Sequence, residues 1–169
     1  ALPWVGHTPT RNRGTVGGSV AHADPASEMP AIAVCCDAMI TAIGPKGPRK
    51  IKASDFFISA LQTSLEADEV ITEILLPAWP EKRRWGFQEF ARRRGDFALA
   101  GIAAFYDVDA QGRATNALNG QIVTAEVIAA AAQAAAGEVQ PSSDIHAPAD
   151  YRRALVETMT ERALAHASK

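Results

Sequence analysis

Arg11-Asn12-Arg13-Gly14-Thr15-Val16-Gly17-Gly18-Ser19-Val20-Ala21-His22-Ala23-Asp24-Pro25 is the stretch from which the rest of the chain can be read. Gly14, Gly17 and Gly18 permit left-handed backbone and bring main-chain N–H groups close to a ligand with no side chain in the way. Thr15 and Ser19 add hydroxyls suited to phosphate or polyol oxygens. Asp24 can cap a helix with Pro25 at its first position and Ser27 and Glu28 in its first turn, so a helix N-terminus that favours negative charge is expected beside the loop. Met29, Ile32, Ala33 and Cys36 then form one buried stripe. A Gly-rich string alone is equally the mark of a tight turn. Gly17-Gly18-Ser19-Val20-Ala21 also falls one residue short of the G-x-S-x-G elbow of serine hydrolases. That motif needs a strand running into its serine, and Arg11–Gly14 makes a poor strand, which leaves a hydrolase as a remote alternative.

Working outward, residues 1–24 show no hydrophobic period and are expected as loop. Short strands are expected over 38–43 and 49–53, joined by the turn Gly44-Pro45-Lys46-Gly47-Pro48. A short helix capped by Ser54 is expected to run through Phe57, Ile58 and Leu61, and Glu69–Leu76 reads as a strand. Prolines and a charge cluster put a boundary near residue 80. Beyond it, 85–93 alternates as a strand with Trp85, Phe87 and Glu89 on one face, and 97–108 is an apolar strand ending at the turn Asp109-Ala110-Gln111-Gly112. An alanine-rich helix follows from its cap Thr124 to Ala136, with Gly137 as its stop. The last helix, from about Ala149, aligns Tyr151, Leu155 and Met159. Antiparallel strand pairs followed by helices indicate an α+β fold.

The whole chain of 169 residues carries 17 basic and 19 acidic residues, a formal charge of −2 that gives no electrostatic reason to expect nucleic acid. Arg92-Arg93-Arg94 and Lys82-Arg83-Arg84 read as solvated faces or subunit contacts. No apolar run is long enough to span a membrane, and the start lacks signal-peptide character, so a cytoplasmic protein is expected. Cys35 and Cys36 are adjacent and read as core packing; they cannot supply the four thiolates of an iron–sulfur cluster. His7, His22, His146 and His166 show no metal-ligand spacing.

Arg13–Ser19 followed by Ala21-His22-Ala23-Asp24-Pro25 resembles the second flavin-binding loop of the medium, FAD-binding subunit of molybdenum hydroxylases, the group of carbon monoxide dehydrogenase and xanthine dehydrogenase. Further matches follow in order: Phe56-Phe57 before Thr63-Ser64-Leu65, Asp68-Glu69-Val70-Ile71 running to Pro77, Arg92–Ala98, and Ser143-Asp144-Ile145-His146 with Tyr151-Arg152-Arg153. The resemblance implies that residues 1–79 are the second half of a two-part FAD-binding domain, an antiparallel sheet with helices. Residues 80–169 would be a small C-terminal domain of antiparallel strands and helices. It also implies that Thr15, Val16, Gly17, Gly18 and Ser19 contact the flavin nucleotide, that His22 and Asp24 lie along its ribityl or pyrophosphate, that Glu28 is an acidic group near it, and that Ile71 approaches from the strand side.

The family's first Gly-rich loop has no counterpart here, and Arg113–Gly120 is shorter than the family leads one to expect. By the same resemblance FAD sits on this subunit, while a molybdenum–pterin centre belongs to a large partner subunit and [2Fe-2S] clusters to a small one. Electrons would pass from the clusters through FAD to an external acceptor. The competing expectation is a structural or interaction module of the same complex that does not itself retain FAD.

Overall fold

The computed structural model describes residues 1–109, 114 and 121–168. It is an α+β protein whose chain divides into two units, Ala1–Ala78 and Trp79–Lys169.

The first unit departs from expectation at once, because residues 1–24 are largely helical. A 3-10 turn at Leu2–Trp4 precedes α1 (Thr8–Arg13), and α2 (Val16–His22) contains the glycine pair. Glycine is a poor helix former, but two local effects outweigh it. Thr15 caps α2, its Oγ1 accepting the Gly18 N–H at 2.9 Å, and Val20 on the same helix is fully buried. α3 (Glu28–Cys35) begins four residues later than Asp24, with Ser27 at its cap. Asp24 does not cap it: its Oδ1 accepts the Ala26 N–H at 2.8 Å, closing a turn around Pro25 instead.

β1 (Met39–Gly44) and β2 (Gly47–Lys52) form the expected hairpin, turned at Gly47, whose φ of +98° suits glycine. α4 (Ala53–Phe56) starts one residue before Ser54, with Lys52 at the cap, and is a single turn. The helix expected through Leu61 is a small hairpin, β3 (Phe57–Ser59) against β4 (Gln62–Thr63). Phe57 is the reason. Its ring stands edge-on to the buried Phe56 at 5.1 Å, a contact the extended backbone permits.

β5 (Val70–Leu75) completes an antiparallel sheet of order β2-β1-β5. Ile71 and Ile74 are three apart, so a regular strand would point them to opposite faces. The pairing Thr41↔Glu73 followed by Ala42↔Ile71 leaves Thr72 as an extra residue. This bulge turns both isoleucines onto the core of Val20, Ala33, Ala38, Ile40, Ala42, Ile51, Ala53 and Phe56.

In the second unit β6 (Arg83–Phe90) pairs antiparallel with β7 (Ala100–Asp107), Trp85 opposite Phe105. α5 (Ala125–Glu138) starts at the expected cap, Thr124 Oγ1 accepting the Val127 N–H at 3.4 Å. α6 (Ala149–Ala167) packs on both strands and on α5. It buries Leu155 and Met159 as the stripe requires, whereas Tyr151 remains exposed. Tyr106, Ala114, Ile128, Leu164 and Ala167 are the centre of this core. The residues Ala110–Gly112 of the expected turn, and the short stretch Arg113–Gly120 apart from Ala114, lie outside the described residues.

Two carboxylates tie loops to these elements. Hydrogen bonds from the Arg49 guanidinium and the Glu66 N–H hold Glu69 at a pKa of about 2. The His146 and Ala147 amides and then Arg152 hold Asp144 at about 2. A carboxylate whose pKa is depressed by folding stabilises the protein above its unfolded value, and the contribution disappears as pH falls toward the folded value. Stability is therefore expected to be full at neutral pH and to drop between pH of about 4.5 and about 2. Acid titration followed by circular dichroism checks this; Glu69→Gln and Asp144→Asn should each flatten the drop.

Candidate functional site

The glycine pair of the Gly-rich stretch lies in the first turn of α2. The first N–H groups of a helix have no acceptor inside it. At α2 the Gly18 amide is taken by the Thr15 side chain and the Ser19 amide by the Thr15 carbonyl at 3.0 Å. The Val16 and Gly17 amides come before these two in the same turn, beside an exposed Val16 side chain. A Cβ at Gly17 would meet nothing within 4 Å, so this residue borders a space that something else can fill. Gly18 is different: a Cβ there would lie 2.8 Å from Thr15 Oγ1, so its glycine keeps the cap in place.

None of Gly14, Gly17 and Gly18 has the left-handed backbone expected for them; among the described residues the positive-φ glycines are Gly6, Gly47 and Gly95. Their smallness, not their flexibility, matters here. The left-handed position falls on Ala23 instead, at φ 52°, where it ends α2. That conformation costs an L-residue about 1 to 2 kcal/mol. The Leu61 N–H, donating to the Ala23 carbonyl at 2.9 Å, helps to hold it. Ser19 lies inside α2, and the segment before Thr15 is helix α1, so the strand–serine–helix elbow of a hydrolase is not formed.

Val20 pins α2 to the core, and α2 packs against α3, β4 and β5. The structure thereby brings Thr15, Val16, Gly17, Gly18 and Ser19 together on one short helix and sets the strand bearing Ile71 beside it. Ile71 itself is half-buried and packs on the core. His22 is exposed at the other end of α2, roughly 9 Å of helix rise from Val16. Asp24 follows it, half-buried, and Glu28 opens α3. These residues are spread from α2 through the turn to α3 and are not gathered at one point, so only an extended ligand could touch them all. Among the described residues, no group of three His, Cys, Asp or Glu side chains could hold a metal ion, and no helix is long and apolar enough to cross a membrane.

The first unit is thus an antiparallel sheet flanked by a capped, glycine-bearing helix, and the second a β-hairpin packed with paired helices. Residues 1–79 match the family described as the FAD binding domain in molybdopterin dehydrogenase. Residues 108–167 match the carbon monoxide dehydrogenase flavoprotein C-terminal domain. Along both units the chain is similar to FAD-binding medium subunits of molybdenum hydroxylases.

It is 36% identical over 99% of its length to the 6-hydroxypseudooxynicotine dehydrogenase complex subunit alpha of Paenarthrobacter nicotinovorans, covering 63% of that protein. It is 34% identical over 91% of its length to the carbon monoxide dehydrogenase medium chain of Hydrogenophaga pseudoflava, covering 60% of it. Among solved structures, quinoline 2-oxidoreductase from Pseudomonas putida 86 superposes with a TM-score of 0.92 at 34% identity, over 99% of this chain and 65% of that one. The chain thus spans less than two thirds of the length of these relatives. The first alignment runs over 187 positions, more than this chain contains, so that relative carries residues absent here.

Proposed function

We propose that this chain is part of the flavoprotein subunit of a cytoplasmic molybdenum hydroxylase, with residues 1–79 as the C-terminal portion of its FAD-binding domain and 80–169 as its C-terminal domain. The observation that carries this reading is the match of residues 1–79 to an FAD-binding family, in a segment where a Cβ at Gly17 would meet only open space. A main-chain cradle without a side chain suits a nucleotide's oxygens. In this reading the Val16 and Gly17 amides and the Thr15 hydroxyl, which can still donate its own proton, hold the nucleotide. Gly18 preserves the cap, and Ser19, His22, Asp24, Glu28 and Ile71 flank the path. FAD, when bound, supplies the redox chemistry. The chain's own part is to hold and orient the cofactor between [2Fe-2S] clusters on a small partner subunit and an external acceptor, with the molybdenum–pterin centre on a large one.

The test is co-purification. When produced with its partner subunits, the protein should carry a large molybdenum-bearing subunit, a small iron–sulfur subunit and about one flavin per copy of this chain. A complex that assembles but stays colourless in the flavin bands after incubation with FAD would favour the pure interaction module. A chain that associates with neither subunit overturns the reading.

A further inference from the structure

Ile145 is 93% exposed, yet the backbone on either side of it is fastened. Asp144 Oδ1 accepts the His146 and Ala147 amides at 2.8 and 3.0 Å, and its Oδ2 accepts Arg152 Nη2 at 2.6 Å. The Asp144 N–H donates to the Ala147 carbonyl at 3.1 Å, Ser143 Oγ accepts the Ala149 amide at 2.8 Å, and Ala147 is buried. A loose loop could fold an isoleucine back onto the protein; this one holds it out in water. A scattered exposed apolar residue is ordinary. A bulky one displayed on a turn with this many restraints is preorganised, so ordering it on binding costs little.

Two further bonds tie a second segment to the turn. Arg92 Nη2 donates to the His146 carbonyl at 3.1 Å, and Arg152 Nη1 donates to the Leu99 carbonyl at 3.2 Å. Residues 92–99 are thus fixed to the same end of the unit, and they carry Phe97, 74% exposed, and the exposed run Arg92-Arg93-Arg94. On the turn itself Asp144 is paired with Arg152 and Asp150 with Arg153, and residues 92–96 carry three arginines and one aspartate, an excess of positive charge. Two bulky apolar side chains in a basic frame complement an apolar socket rimmed by acidic side chains.

We propose that the Ser143–Ala147 turn, joined to the Arg92–Phe97 segment, is a docking surface for a protein subunit whose facing surface is acidic around an apolar socket. The inference rests on the reading that this chain works in a heteromeric complex. Anchors held rigidly on stitched backbone favour a protein socket over a lipid surface.

The test uses the complex assembled from this chain and its two partner subunits. Because Ile145 is exposed, Ile145→Asp should leave thermal stability and flavin content unchanged, and Arg93→Glu should do the same. Each is expected to weaken subunit association by about tenfold or more. Wild-type association should also weaken as salt is raised from about 50 to 500 mM, and Asp144→Asn, which loosens the turn, should fall between wild type and Ile145→Asp. Equal association in Ile145→Asp and Arg93→Glu overturns this proposal while leaving the functional reading intact. A wild-type chain that binds neither subunit removes both. Sedimentation showing that the variants instead abolish pairing of this chain with itself, or wild-type binding to phosphatidylserine vesicles that Ile145→Asp abolishes, also overturns it.

Discussion

Gly86→Ala should destabilise the second unit by roughly 3 kcal/mol or more, at or beyond the upper end of what overpacking usually costs. Gly86 stands on β6 where α6 crosses it, and a Cβ there would overlap the carbonyl oxygen of Ala163, with the carbonyl carbon 2.6 Å away. The obstacle is helix backbone, which cannot rotate aside as a side chain can. α6 would have to lift off the hairpin along which Tyr106 and Leu164 are buried, exposing part of the core. Scanning calorimetry should show the unit's transition lowered by on the order of 10 °C or more. Two nearby glycines are controls. Gly101→Ala places its Cβ 3.9 Å from Glu89 Cγ, an ordinary contact, and Gly137→Ala, inside α5, meets nothing within 4 Å. The second should raise helix stability by about 0.5 to 1 kcal/mol. A transition unmoved by Gly86→Ala would mean that α6 does not approach β6 this closely.

Gly86 also marks the limit of what the sequence discloses. Within an alternating strand it looks like any small residue, because its requirement comes from a helix some 77 positions later, a separation no local period encodes. Where local signals sufficed, they were right in kind. Pro45 and Gly47 set the first hairpin, Thr124 capped α5, and Leu155 and Met159 marked the buried side of α6. Where tertiary contact overrode propensity, the reading failed. α2 is a helix despite two glycines because Thr15 caps it and Val20 is buried, and Phe57 turns extended because its ring packs on Phe56. The inward turn of Ile71 depends on a bulge at Thr72, a β-branched residue with nothing in its neighbours to announce one. At the candidate site, the residue types from Thr15 to Ser19 are what led to the proposal of a ligand there. Their conformation was not legible, because glycine is equally at home in a left-handed loop and at a helix N-terminus where bulk is excluded.

That difference between smallness and flexibility separates Gly17 from Gly18, and it yields the sharpest test of the proposed cofactor site. Gly17→Val should reduce bound flavin by more than about tenfold while leaving the unliganded fold as stable as before, or slightly more so, since valine is a better helix former than glycine by a few tenths of a kcal/mol. Among the described residues, nothing beyond its chain neighbours and its own helix backbone lies within 4 Å of the new Cβ, so valine's added bulk enters space where a bound group would lie. Gly18→Val should behave otherwise. Its Cβ would press on Thr15 Oγ1, the cap of α2 would open at a cost of about 1 kcal/mol, and stability and flavin would fall together. Thr15→Ala should share the loss of the cap, and Thr15→Ser should restore it. Flavin absorbance per subunit and the melting temperature, measured on the same preparations, distinguish the two patterns. If flavin content is untouched in Gly17→Val, the nucleotide does not occupy the space at the start of α2, whatever Gly18→Val shows, because only Gly17 tests contact without testing the cap.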